Sequence, residues 1–219
     1  SVRAGVRAKV AALGAAEVPA RREALLREAE DYARRALDYL APPPPRLLAV
    51  GGFSGSGKTS LARRLAPGVG AAPGALLIRS DVVRKRLFGV PPEIRLPLDA
   101  YTPQWHERVA ATMVRQARTA LAAGHSVLLD AVHGSPASQQ AVERIATEAG
   151  VAFQGYWLSA PLPVLEERIR ARLADASDAT VEVVRRQAAN GEAETAWLRL
   201  DAAAPLDELA ERAIAALTA

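Results

Sequence analysis

Apolar positions along this chain change period several times, and each change marks an element. Over residues 22–40 they recur at helical spacing, at Leu25, Leu26, Ala29, Tyr32, Ala33, Ala36, Leu37 and Leu40. Such a face needs a partner, either the domain that follows or an upstream domain of which this helix is the tail. Residues 1–14 are basic, alanine-rich and weakly patterned, and Pro19 stands near a helix start. Pro42 to Pro45 ends the helix and acts as a stiff spacer. The expected organisation is a helical segment over residues 1–41, a proline linker over 42–45 and one domain over 46–219.

Beyond the prolines, short apolar runs alternate with longer helical patterns. Residues 46–50, 75–78, 126–129, 151–158 and 197–200 read as buried strands. Residues 60–66, 82–88, 105–123, 138–149, 163–173, 180–189 and 205–217 read as helices, with Gly124 closing the third and Thr180 capping the sixth. This alternation predicts an α/β fold: three layers, α/β/α, around a mainly parallel five-stranded sheet. Residues 89–103 carry Pro91, Pro92, Pro97 and Pro103 and read as an irregular binding loop.

Composition narrows the picture. The chain has 219 residues and half are hydrophobic, enough for one α/β domain with an appendage. The net charge is +4, but arginines are interspersed with glutamates and no dense basic tract with aromatics appears. That argues for a mildly basic solvated surface over a dedicated nucleic-acid surface. The chain has no cysteine, which removes disulfides and thiolate metal sites. No apolar run reaches membrane-spanning length and no signal-peptide pattern opens the chain, so a cytoplasmic protein is expected. It begins with Ser, as a trimmed or excised fragment would.

The chemistry centres on Gly52-Phe53-Ser54-Gly55-Ser56-Gly57-Lys58-Thr59, followed by Ser60. It matches the phosphate-binding pattern G-x-x-x-x-G-K-[ST] at every fixed position, between a strand and a helix. Its glycines let backbone amides turn inward on an anion. The helix N-terminus adds its dipole and unpaired N–H groups. Lys58 supplies a mobile charge for the β- and γ-phosphates, and Thr59 a hydroxyl for Mg²⁺. The expected cofactors are ATP and Mg²⁺. The strand over 126–129 ends at Asp130, the place of a Walker B carboxylate that holds Mg²⁺ directly or through water. The strand over 75–78 delivers Arg79-Ser80-Asp81 to its C-terminal end, where open α/β sheets bind ligands. Asp81 suits a general base; its other reading is an N-cap before Val82. His133 reads as a polar loop residue. Trp105, Trp157 and Trp197 read as core or rim aromatics, one of them open to stack on adenine.

Several stretches carry a resemblance. They are residues 51–59, Ile78-Arg79-Ser80-Asp81 through Leu87, Ala100-Tyr101-Thr102, residues 123–131, residues 168–172, and Asp175-Ala176-Ser177-Asp178-Ala179-Thr180. Over most of residues 46–201 the chain resembles the P-loop kinase domain, called an AAA-family ATPase or predicted kinase, fused to aminoglycoside-phosphotransferase-like domains. Residues 32–45 resemble the tail of that upstream domain, whose catalytic motifs are absent here. More distantly the pattern is similar to polynucleotide 5′-kinase, gluconate kinase and zeta-toxin kinases. The resemblance implies that Asp81 is the general base, that Arg84 holds an acidic part of the acceptor with Tyr101 beside it, and that Arg168 and Arg172 of a lid helix close over the phosphates. Those kinases carry an arginine after Walker B, where this chain has Gln139 and Gln140, with Arg144 a turn later.

Together these readings predict an ATP-dependent phosphotransferase acting on a hydroxyl of a small molecule. The alternatives are a P-loop ATPase switch or regulatory domain that drives a partner or an upstream phosphotransferase-like domain, and a nucleic-acid 5′-end kinase.

Overall fold

The computed structural model describes residues 1–171, 177–191 and 195–218. These form two compact units, Ser1–Pro44 and Pro45–Ala219. The first is a helical hairpin: α1 (Val2–Glu17), a 3₁₀ turn at Pro19–Arg21 and α2 (Arg22–Asp38). The weak pattern of residues 1–14 therefore hides a full helix. Its small residues Ala11 and Ala15 are buried, as is Ala29 of α2, while Val2, Val6, Val10 and Leu13 stay exposed. Arg7 Nη1 donates to the Tyr32 hydroxyl across the hairpin at 3.2 Å.

The second unit is built on five parallel strands. They are β1 (Arg46–Gly52), β2 (Leu76–Arg79), β3 (Val127–Asp130), β4 (Ala152–Ser159) and β5 (Leu198–Asp201), in the order β2-β3-β1-β4-β5. The pairing sets Val50 beside Asp130 and Arg79 beside the same residue, so the C-terminal ends of β1, β2 and β3 share one edge. The helices are α3 (Lys58–Leu65), α4 (Ser80–Leu87), α5 (Pro103–Ala122), α6 (Pro136–Ala149), α7 (Leu162–Arg170), α8 (Val181–Ala189) and α9 (Leu206–Thr218).

Strand alternation divides the core. Leu47 and Ala49 of β1 face a cluster with Val109, Met113, Val142 and Ile145 of α5 and α6. Leu48 and Val50 face Leu61 and Leu65 of α3 and Leu209 and Ala213 of α9. Tyr156 donates its hydroxyl to Ala213 O at 2.8 Å, and Arg46 reaches Leu217 O at 2.7 Å, pinning α9 to the sheet.

Helix starts differ from the sequence expectation for identifiable reasons. α6 begins at Pro136 because Ser135 and Ser138 form a reciprocal capping box with proline at the first position. α4 begins at Ser80, so Asp81 lies inside its first turn and the N-cap position belongs to Arg79. The reading of Asp81 as the N-cap before Val82 is thereby corrected. Thr180 occupies the N-cap of α8 without a side-chain cap bond. Among the described residues, no helix is long and apolar enough to cross a membrane.

Candidate active site

The phosphate loop leaves β1 and enters α3 with a backbone that only glycine tolerates at its tightest points. Gly52 (φ 136°) sits where a Cβ would fall 2.5 Å from Leu158 O. Gly55 (φ 85°) would set one 2.6 Å from Leu165 O. Both positions combine a left-handed backbone with a backbone neighbour that cannot move aside. Phe53 turns inward, packed edge-on against Trp157 at 5.8 Å, so it contributes its backbone and not its ring. The Lys58 ammonium donates to Phe53 O at 2.8 Å, curled over the loop. The buried Ser56 hydroxyl has no hydrogen-bond partner among the described residues.

Thr59 donates to Asp130 Oδ2 at 2.6 Å, and Arg79 Nε lies 3.4 Å from the same oxygen. The hydroxyl from α3 and the carboxylate from β3 thus meet at one point. Mg²⁺ favours few oxygen ligands completed by water and phosphate. A hydroxyl and a carboxylate meeting beside a phosphate loop fit that preference. Among the described residues no cluster of three or more His, Cys, Asp or Glu forms a protein-only metal cage.

A cleft of about 1280 Å³ opens in front of this loop. It is lined by Gly55, Gly57, Lys58, Thr59 and Ser60, and by Asp81, Arg84 and Tyr101 on the far side, with Asp130 between. Ser54 also lines it, its amide donating to Gln187 Oε1 of α8 at 2.9 Å. Asp81 is half-buried. Burial raises its carboxyl above the ordinary range and the nearby Asp130 raises it further, while Lys58 and the Ser177 hydroxyl pull it back in part. Arg84 is buried, with Nη1 on Ala100 O at 2.7 Å, its guanidinium 4.8 Å over the Tyr101 ring, and Nε unpartnered among the described residues. Burial also lowers its pKa.

The Asp178 carboxylate ties this far side together. Oδ1 takes the ammonium of the fully buried Lys85 at 2.9 Å, and Lys85 also donates to Pro92 O at 2.9 Å. Oδ2 accepts from the Leu96 amide at 2.9 Å and the Tyr101 hydroxyl at 2.7 Å. Burial works to raise this carboxyl, and those donors outweigh it and hold it below the usual range. Tyr101, by contrast, is pushed well above a normal phenol, by burial first and then by Asp178. One carboxylate therefore fastens the proline loop, α4 and the segment before α8.

The arginines expected in a lid divide. Arg168 stands outside the cleft wall, donating to Ala202 O at 2.7 Å. Arg172 lies outside the described residues. Arg186 of α8 and Arg95 of the proline loop line the cleft, and the sequence reading named neither. The clue for Arg186 was its place one turn before the end of a helix following the Asp-Ala-Ser-Asp-Ala stretch. Glu166 on α7 accepts from Arg170 of the same helix at 2.7 Å and from Arg185 of α8 at 2.6 and 3.1 Å, so Arg185 braces α8 against α7. Gln139 is buried and donates to His133 O at 3.0 Å; Arg144 is exposed, away from the cleft. His133 lines the cleft with a positive φ of 47°, and burial with the nearby Lys58 pushes its pKa down to about 4. It is thus neutral near pH 7. Trp157 and Trp197 are buried, and Trp197 donates to Glu143 at 2.8 Å.

A glycine loop between strand and helix, a strand-end carboxylate bonded to its threonine and a parallel sheet with β1 central define a P-loop nucleotide-binding protein. The chain belongs to the AAA domain family, which matches residues 47–193. It is 36% identical over 174 residues to an uncharacterized protein of Mycobacterium tuberculosis strain H37Rv, the match covering 78% of this chain and 34% of that one. The chain thus spans about a third of the length of the curated relatives it matches. Its fold is that of small-molecule kinases. A sugar kinase from a Janibacter species superposes with TM-score 0.59 at 20% identity, over 80% of this chain and 95% of that one. A gluconokinase from Sinorhizobium meliloti gives 0.57 at 21%, over 80% and 92%. An APS kinase from Mycobacterium tuberculosis, solved with AMPPNP and APS, gives 0.56 at 20%, over 81% and 99%.

Proposed function

We propose that this protein is an ATP-dependent phosphotransferase that moves the γ-phosphate to a hydroxyl of a small molecule. The observation that carries the reading is Asp81: a half-buried carboxylate with a raised pKa, across one cleft from the phosphate loop. A base whose pKa lies nearer neutrality takes a proton more effectively. In the proposed step Asp81 accepts the acceptor's hydroxyl proton as its oxygen bonds to the γ-phosphorus, the bond to the β-phosphate oxygen breaks, and ADP leaves. Phosphoryl transfer depends on positioning and charge neutralisation. Lys58 and Arg186 supply cationic charge on the phosphate side, and Arg84 receives an anionic group of the acceptor. Thr59 and Asp130 would hold Mg²⁺, which supplies further charge neutralisation when bound.

The structural neighbours, a sugar kinase, a gluconokinase and an APS kinase, agree with this reading. We also read residues 1–44 as the tail of an upstream phosphotransferase-like domain, in line with the chain spanning a third of its relatives. The test is to incubate the protein with labelled ATP and a panel of hydroxyl compounds, scoring phosphorylated products by mass. Hydrolysis to ADP and phosphate with no phosphorylated compound would favour an ATPase switch instead. Transfer to oligonucleotide 5′ ends, with affinity falling steeply in salt, would favour a nucleic-acid kinase.

A further inference from the structure

The far half of the cleft has an apolar wall. One face of α5 places Val109, Ala110, Met113 and Val114 on it, at helical spacing. α6, packed beside α5, adds Ala141 and Val142, and Leu129 of β3 joins them. Among the described residues of α5 and α6 that line the cleft, the polar ones are His106 and Ser138, both in the first turn of their helices. Burial lowers the His106 pKa, and the Arg84 charge lowers it further. At the end of this wall stand Asp81 and Arg84, one helical turn apart on α4.

That arrangement discriminates between acceptors. A polyhydroxylated acceptor laid on α5 and α6 would press hydroxyls against methyl groups, and each buried unpaired polar group costs affinity. An alkyl or ring body gains from the same surface. We propose that the cleft takes a hydroxy acid with a compact polar head and an apolar body. The head carries the reacting hydroxyl to Asp81 and an anionic group to Arg84. The body lies along Val109, Met113 and Val142. This deepens the phosphotransferase reading and rests on it for the role of the hydroxyl.

The probes are 3-hydroxybutanoate, 3-hydroxyhexanoate and 3-hydroxyoctanoate, with gluconate as the polyhydroxylated six-carbon match. Their binding is measured by calorimetry in the presence of Mg²⁺ and a non-hydrolysable ATP analogue, and phosphate transfer is measured separately. Affinity should rise about fourfold per added methylene, the effect of burying one CH₂. Gluconate should bind at least about tenfold more weakly than 3-hydroxyhexanoate, as unpaired hydroxyls would require. Ala110→Phe, at an exposed position on the cleft wall, should fill the wall and flatten the chain-length dependence. A flat series in the unaltered protein, gluconate binding as well as 3-hydroxyhexanoate, no binding by any hydroxy acid, or an unchanged slope in Ala110→Phe would each overturn the assignment. If the binding series holds but no probe is phosphorylated, the assignment of the apolar wall stands and the phosphotransferase reading fails.

Discussion

The phosphate loop and the far side of the cleft are fixed by different means. The loop is held by its own backbone: Gly52 and Gly55 pass within touching distance of Leu158 O and Leu165 O, and Lys58 closes on Phe53 O five residues back. The far side is held by buried side chains, chiefly Asp178, whose bonds reach Lys85, Leu96 and Tyr101 across 93, 82 and 77 residues of sequence, with Arg84 on Ala100 O beside it. A site made of backbone turns keeps its shape when side chains change. A site hung on a buried carboxylate does not, because removing one partner strands the others. The cleft therefore joins a rigid half, suited to an invariant phosphate group, to a half whose shape can be retuned through a few positions.

The largest effect should separate chemistry from binding at the junction of the two halves. Asp81→Asn should cut phosphate transfer by about 10²–10⁴-fold, the usual worth of general-base assistance, while Mg·ATP affinity persists. The acid limb of kcat/KM in the unaltered protein should lie above the ordinary aspartate value of about 3.9, and disappear in the variant. Stability should move the other way. Because the folded-state pKa is raised, the folded chain binds this proton more tightly than the unfolded chain, and stability falls as pH rises through that window. At neutral pH the ionised carboxylate remains a cost that asparagine removes, so Tm should rise. Full transfer activity, or loss accompanied by unfolding, would break the assignment.

The second effect tests the clamp. The Lys85 and Asp178 side chains are 1% and 7% exposed. Asp178→Ala leaves a buried ammonium without its counter-charge and the Leu96 amide without this acceptor, at a cost of about 3–5 kcal/mol. The loss should concentrate in the far half: hydrogen exchange should speed up across residues 89–103 while amides of residues 52–59 keep their protection. Lys85→Met with Asp178→Leu should recover part of the stability, since an apolar pair strands no charge. Uniform loss of protection would mean that the two halves are not held separately.

Lys58→Ala tests the rigid half. Its ammonium already rests on the loop, so removing it should leave the fold intact and weaken Mg·ATP binding by about 10²-fold, the worth of one strong charge-assisted hydrogen bond. Unchanged affinity and turnover would remove the phosphate-loop assignment.

This contrast also explains what the sequence reveals. The five strands, their order of appearance and the phosphate loop are legible because each is contiguous and chemically marked. The Asp-Ala-Ser-Asp-Ala stretch is distinctive in sequence, yet nothing local says that Asp178 should reach Lys85; only the fold brings them together. α1 escapes notice because the residues it buries are alanines, while its valines remain exposed and its surface pattern looks irregular. The start of α4 is displaced because Asp81 has the chemistry of a cap but sits two residues past the N-cap position, inside the first turn. Arg168 and Arg186 are both helical arginines that follow β4, and nothing local in sequence says that Arg186 lines the cleft while Arg168 donates to Ala202 O.

The smallest effect concerns a side-chain bond that joins α8 to the phosphate loop. Gln187 Oε1 accepts from the Ser54 amide at 2.9 Å and holds the helix bearing Arg186 against the loop. A neutral hydrogen bond of this kind is worth about 0.5–1.5 kcal/mol net, so Gln187→Ala should weaken Mg·ATP binding by about two- to tenfold. Gln187→Glu gives the sharper comparison. A carboxylate still accepts from the amide, which keeps α8 in place, but it adds negative charge beside the phosphates. If the bond matters through placement of α8, the glutamate should bind Mg·ATP less tightly at low salt and recover toward the unaltered protein as salt screens the repulsion, while the alanine variant stays insensitive to salt. If the two variants respond alike, Gln187 is only filling space, and α8 is held by the Glu166 pair with Arg185 instead.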